Sequence, residues 1–230
     1  MSELVRYARI ETVMPREFLL LQGTGCHWGR CAFCDYHLDR SGDPFGVNRP
    51  ILQQVTGDFG VLDIINSGSA PELDAETLQL IRQIADEKGI HTLWFEAHWQ
   101  YHDQLEAFAQ QFPNQRVYFR CGAETFDPAV RKAWNKGIDE TVTPADIARY
   151  FRGVCLLVGV QGQTRAGILE DLALAKRYFS YYSVNLFVPN STTVKRDEAL
   201  AEWFIEEVAP GLQQEPGVEV LIENTDLGVG

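Results

Sequence analysis

FLLLQGTGCHWGRCAFCDYH, residues 18–37, joins an apolar run to a glycine-rich loop that carries three cysteines. Residues 18–22 read as a strand, apolar almost throughout rather than alternating, as expected of a strand covered on both faces. Gly23, Gly25 and Gly29 then release the chain into a loop where Cys26, Cys31 and Cys34 stand at C-x4-C-x2-C spacing. A strand that empties into a loop of reactive side chains is how parallel sheets build sites, at the carboxyl ends of their strands.

Outward from this stretch the same grammar repeats. Further strands are expected at residues 61–66, 92–97, 117–123, 154–160, 183–188 and 218–223. Residues 72–88 repeat apolar positions at Leu78, Ile81 and Ala85, with Gly89 as the stop. Asp127 is placed to cap a helix that starts at Pro128 and ends at Gly137, and Thr143 with Pro144 opens the next in the same way. Thr164 caps a helix over 165–179, and Asp197 caps a final long helix that stops before Pro210. Strand–helix alternation repeated about six times implies right-handed βαβ units and a parallel sheet. No repeat, low-complexity segment or linker marks a boundary, so residues 1–230 read as one α/β domain, a partial barrel or an open sheet.

Composition narrows the partners. With 45% hydrophobic residues the chain has ample material for a core. Acids outnumber bases 32 to 20 and the formal net charge is −12, whereas a phosphate backbone is bound by neutralising it. A nucleic-acid partner is disfavoured and a small-molecule substrate favoured. The opening MSELVRYARI carries charges where a signal peptide needs an apolar stretch, and no apolar run approaches ~18 residues. A cytoplasmic protein without a membrane partner is the expectation.

Five cysteines, three of them clustered, suggest a metal site rather than a disulfide framework. Cys121 and Cys155 stand alone in apolar runs and read as buried core thiols. Three thiolates can hold three corners of a [4Fe–4S] cube and leave one iron without a protein ligand, as cluster chemistry on a bound molecule requires. The alternative is zinc, with His27 or His37 as fourth ligand, although zinc ligands usually come as short-spaced pairs on a small knuckle.

The loop resembles the cluster loop of the radical S-adenosylmethionine superfamily, with one residue more than the usual C-x3-C-x2-C spacing. The resemblance runs along nearly the whole chain. Phe33 fits the aromatic before the last cysteine, whose backbone neighbours the adenine. Asn66-Ser67-Gly68-Ser69-Ala70 stands where many members carry a Gly-Gly-Glu element for the methionyl amino group. The acid is missing there, so the resemblance hands that work to hydroxyls and carbonyls of Ser67, Gly68 and Ser69. Gly122-Ala123-Glu124-Thr125, followed by Asn135-Lys136-Gly137, is similar to the GxET…xKG segment of one branch, which implies that Glu124 meets the ribose or methionyl part of the cofactor.

What the resemblance implies is a partial (βα)6 barrel, a [4Fe–4S] cluster on Cys26, Cys31 and Cys34, and S-adenosylmethionine as the source of a 5′-deoxyadenosyl radical. It also implies a flavodoxin- or ferredoxin-type reductant, with a homodimer as the assembly to look for. Glu96, His98 and Glu223 are the candidate catalytic or substrate-reading residues at strand ends, and Asn185 a further cofactor contact inside the sixth expected strand. Glu96 or Glu223 could accept two hydrogen bonds from a guanine-like base, while Trp28, Trp94, Trp99 and Tyr36 offer stacking faces. Asp35 and His37 lie near the cluster. The compact chain is most similar to small radical enzymes of 7-deazaguanine metabolism, and the implied activity is release of queuine from queuosine or its 5′-phosphate. The alternatives are a radical enzyme acting on tRNA-bound deazapurine with a partner subunit, and a non-catalytic iron–sulfur or zinc subunit.

Overall fold

A computed structural model describes residues 4–223. Eight strands form one sheet in simple chain order: β1 (Tyr7–Ile10), β2 (Arg16–Leu21), β3 (Val61–Asn66), β4 (Thr92–Ala97), β5 (Arg116–Glu124), β6 (Gly153–Val158), β7 (Tyr181–Leu186) and β8 (Val218–Leu221). β1 runs antiparallel to β2, and every later pair is parallel. The helices α1 (Pro44–Leu52), α2 (Ala75–Glu87), α3 (Leu105–Ala109), α4 (Pro128–Ala133), α5 (Pro144–Ala148), α6 (Arg165–Tyr178), α7 (Glu198–Trp203) and α8 (Ala209–Leu212) fill the connections.

Because both faces of these strands are covered, alternate residues serve two different interiors. Leu62, Ile64, Leu93, Phe95, Phe119, Cys121, Val154 and Val184 join the helices in the main apolar core. The other parity points into the hollow of the curled sheet. The curl is visible in one contact: the Arg16 guanidinium on β2 meets the Glu219 carboxylate on β8 at 2.7 Å, although these are the second and the last strands of the order. The architecture is the α/β partial barrel that the sequence leads one to expect.

Four details differ from the sequence reading. β1 was not expected, since YARI is short and charged, as edge strands usually are. The helix expected from residue 72 starts at Ala75, capped by the Asp74 side chain on the Thr77 amide. Ala70–Glu72 instead makes a short 3-10 turn in which Ser69 and Glu72 form a capping box. The helix from Pro128 stops at Ala133, before Asn135 turns into the left-handed region at φ 52°. Pro210 does not end the last helix, because the chain passes from α7 through a π turn at Phe204–Val208 and places Pro210 in the first turn of α8, where its missing N–H costs little.

Candidate active site

The floor of the hollow is a closed set of charges. Asp63 accepts from Arg16 Nε at 2.7 Å and from both terminal nitrogens of Arg120 at 3.0 and 2.7 Å. Arg16 spends its remaining nitrogens on Glu219 and the Met14 carbonyl, and the Tyr181 hydroxyl donates to Glu219. Arg16 and Asp63 are fully buried, and Arg120 and Glu219 nearly so. Burial opposes the charge on Arg120, yet Asp63 and the other anions nearby hold its pKa well above the ordinary value. Trp94 packs beside this floor against Tyr118 and Tyr181, so it is not an open stacking face. Trp99 is likewise occupied, stacked on His102 at 4.2 Å.

The cysteine loop lies across the other end, after β2. Gly25 and Gly29 take φ of 101° and 53°, the left-handed turns that let the loop fold back on itself, and the Gly29 amide points at Cys26 Sγ at 3.3 Å. The Asn135-Lys136-Gly137 segment holds this loop from outside. The Ala32 amide donates to the Trp134 carbonyl, Asn135 Nδ2 to the Arg30 carbonyl, and the Trp28 indole to the Asn135 carbonyl at 2.8 Å. Gly137 is required here: a Cβ would come within 2.4 Å of the Trp28 ring. Cys31 and Cys34 pack against Phe33, Trp134, Leu157, Val160 and Phe187. Burial pushes the Cys31 thiol up and the Cys34 thiol to about 12, a penalty that bonding to iron removes. Asn190 Nδ2 holds the Phe33 carbonyl at 2.7 Å, and the Ser191 amide and hydroxyl hold Asp35. His37 belongs to the 3-10 turn Tyr36–Leu38.

The loop after β3 brings in a residue that the sequence reading missed. The Ser67 hydroxyl accepts from the Gly23 amide and the Ser69 hydroxyl from the His98 amide, so both expected hydroxyls act as braces. Glu72, buried to 3% exposure, sits beneath them. Its carboxylate accepts from the Ser69 amide at 2.9 Å, the His27 amide at 3.2 Å and the Tyr101 hydroxyl at 2.7 Å. It therefore fastens the Cys26 end of the loop to the loop after β3. Gly68 runs close over both, since a Cβ there would lie 2.1 Å from Glu72 Oε2 and 3.2 Å from Cys26 Cα. The signal for Glu72 was in the sequence, as the S-x-x-E pattern of residues 69–72.

His98 needs a correction. The Gln100 amide donates to Nδ1, so the proton is on Nε2, which donates to the Lys136 carbonyl at 2.6 Å. The ring stacks on Trp28 with centroids 5.5 Å apart. Burial, aided by the Lys136 charge, lowers its pKa to about 4. With both nitrogens committed, His98 is a neutral brace under the cysteine loop and not a proton carrier.

Glu124 ends β5 with φ 67° after a register shift, which swings its carboxylate onto Lys136 Nζ at 3.0 Å. Burial raises the Glu124 pKa against the pull of Lys136. Burial also opposes the Lys136 charge, but Glu124 and the Cys31 sulfur hold its pKa above the ordinary range. Below this pair, Glu96 faces the hollow with about a third of its side chain exposed, Oε2 being 3.4 Å from Arg120 Nε and 3.7 Å from Cys155 Sγ. Gly122 leaves the space between them, for a Cβ would meet Glu124 at 2.8 Å, Lys136 at 3.3 Å and Glu96 at 3.7 Å. Cys155 is buried, as the sequence leads one to expect, and its thiol faces the hollow beside Glu96. Asn185 shares this face, and its Oδ1 is buried without a hydrogen-bond partner. Tyr36 has 59% exposure yet stands among Cys34, Glu96 and Glu124, as a side chain does inside an open cavity. Glu223, exposed, follows β8 on the parity of Glu219.

The donor set fits a cluster with one open corner: three thiols on one loop, a backbone amide aimed at a sulfur, and apolar walls. Among the described residues no three His, Cys, Asp or Glu side chains gather closely enough to hold a single ion.

No family model matches the chain, and no curated protein sequence does. Among solved structures, a queuine lyase from Clostridium spiroforme bound to SAM and queuine superposes with a TM-score of 0.94. It is 38% identical and covers 99% of this chain and 100% of its own. A methylornithine synthase superposes with a TM-score of 0.56 at 12% identity, over 93% of this chain and 73% of its own, a likeness of fold alone.

Proposed function

The chain belongs to the radical S-adenosylmethionine superfamily, and from that premise we propose that it is a queuosine lyase, freeing queuine from the nucleoside or its 5′-phosphate. Its cofactors are a [4Fe–4S] cluster and S-adenosylmethionine. When bound, that pair supplies a 5′-deoxyadenosyl radical able to take hydrogen from an unactivated C–H bond.

The residues divide the remaining work. Cys26, Cys31 and Cys34 would hold three corners of the cluster, in a loop kept in place by Glu72, His98 and the Trp28–Asn135 hydrogen bond. Glu124, anchored by Lys136 through Oε1, keeps Oε2 for a ribose hydroxyl or the methionyl ammonium. With the Ser67 and Ser69 hydroxyls bracing amides, the backbone carbonyls of Ser67 and Gly68 are left to accept from the same ammonium. Asn185 offers a buried carbonyl oxygen that has no hydrogen-bond partner among the described residues and is free to accept from a ligand in the hollow. Phe33, Trp134, Leu157 and Phe187 exclude water around the reacting atoms. Glu96 faces the substrate, and Tyr36 stands at the mouth as a stacking face.

The observation that carries this reading is 38% identity along the full length of both chains to an enzyme solved with queuine in place. The test is anaerobic reconstitution followed by dithionite, S-adenosylmethionine and queuosine, with 5′-deoxyadenosine and queuine measured by mass spectrometry. Both products are expected, and neither from Cys31→Ala. 5′-Deoxyadenosine without queuine, from the nucleoside and its 5′-phosphate alike, overturns the substrate and leaves the radical chemistry standing.

A further inference from the structure

We infer that Glu96 is the specificity determinant of the cavity, selecting substrates that carry a protonated amine. This deepens the reading above and rests on it.

The argument is one of charge. Three cations reach into the hollow: Arg16, Arg120 and Lys136. Four carboxylates face them: Asp63, Glu219, Glu124 and Glu96. Asp63, Glu219 and Glu124 each meet a cation at 3.0 Å or less. Glu96 is the remainder. Its one cation is Arg120, which already gives Asp63 its two terminal nitrogens and turns only Nε, at 3.4 Å, toward Glu96. The neighbouring Cys155 thiol is held neutral, since burial keeps its pKa well above the ordinary value, so it offers Glu96 a weak donor and no charge. Among these seven paired groups of the described residues the carboxylates outnumber the cations by one, and the weakest-paired carboxylate is the side chain open to the hollow.

A surplus negative charge in a concave, partly desolvated space costs free energy until a cation pairs with it. Geometry points the same way. Arg120 fixes the Oε2 side of Glu96 from below, and Gly122 leaves the space on the Oε1 side clear. Asn185 adds a second acceptor without a partner. Glu96 Oε1 and Asn185 Oδ1 are two acceptors open to a ligand, one of them charged, and together they fit a ligand with donors and one positive charge. A guanine-like edge provides donors but no charge. The secondary amine of queuosine's side chain, protonated at neutral pH, provides the charge.

The test compares two nucleosides of one ring system: queuosine, which is cationic, and 7-cyano-7-deazaguanosine, which is neutral. Dissociation constants are measured on enzyme loaded with cluster and S-adenosylmethionine, without reductant, so that nothing turns over. The wild type is expected to prefer queuosine by about tenfold or more, equivalent to about 1.4 kcal/mol. Glu96→Gln should bring the ratio to about twofold by weakening queuosine alone, and Glu96→Asp, which keeps the charge, should restore part of it. A ratio unchanged in Glu96→Gln overturns the inference, as does equal weakening of both nucleosides or binding of neither. Queuine release, assayed in parallel, keeps the two readings apart. Release with an unchanged ratio defeats the specificity role and leaves the lyase standing. A Glu96-dependent preference without release does the reverse.

Discussion

The two ends of the barrel hollow are made of the same residue types and differ in whether their charges are closed. On the floor, Arg16, Asp63, Arg120 and Glu219 satisfy one another at 2.7–3.0 Å with almost no exposure. At the mouth, Glu96 is held at one oxygen, Asn185 Oδ1 has no partner, and Tyr36 stands in open space. A buried ion network that is complete has nothing left for a ligand and serves to hold β2, β3, β5 and β8 in one curl. An incomplete one is under-satisfied until something binds. The contrast assigns stability to the floor and chemistry to the mouth, and mutations should separate the two.

The largest effect belongs to the mouth. Alanine at Cys26, Cys31 or Cys34 should abolish 5′-deoxyadenosine formation and the cluster's visible absorbance, while the far-UV circular dichroism of the apo form stays at the wild-type level. Unfolding of the apo variant would mean that the loop carries the fold as well, and the division would fail. On the floor the pattern reverses. Asp63→Asn leaves Arg16 and Arg120 buried without a shared anion and should cost about 3–5 kcal/mol of stability, read by urea denaturation. A loss under 1 kcal/mol would show that the floor is wetter than its burial implies.

His98 sharpens the comparison by pH, since it braces the mouth and does no proton transfer. Its folded pKa, about 4, lies below its ordinary value. The folded state therefore binds fewer protons than the unfolded state between these values, and the stability is present above pH ~6.5 and lost as pH falls toward 4. From pH 7 to pH 5 this amounts to about 2 kcal/mol, measurable as the difference between wild type and His98→Asn. Asp171, raised by burial to about 6, works in the opposite direction and is common to both proteins, so it cancels in that difference. If wild type and variant lose stability in parallel, His98 is not buried neutral.

What could be read from the sequence follows from what the strands bury. Most of the parallel strands announced themselves as continuous apolar runs, and the cysteine loop by its spacing. The same continuity hid which face each residue takes, because a strand covered on both sides has no alternation to read. That is why no face could be read for Cys155, buried beside Glu96, and why His98 was put among the cavity residues. Charged residues inside such runs were the usable signal: Asp63 in VLDIIN and Arg120 in RVYFRCGAE can be buried only if paired. Glu72 was missed for another reason, since a helix was extended across a capping box that belonged to the preceding turn.

The smallest expected effect makes the finest test. Glu96→Gln should change stability by no more than about 0.5 kcal/mol, although it removes a carboxylate from the barrel interior. The side chain is about a third exposed, its contact with Arg120 is long at 3.4 Å, and Arg120 keeps both short bonds to Asp63 when Glu96 is gone. Removing it also relieves repulsion from Glu124, which faces the same space. An amide would still accept from Arg120 Nε. A melting temperature equal to wild type, together with altered nucleoside binding, would place the boundary between floor and mouth at Arg120. A loss comparable to that of Asp63→Asn would join Glu96 to the closed network and move the boundary up to Glu124.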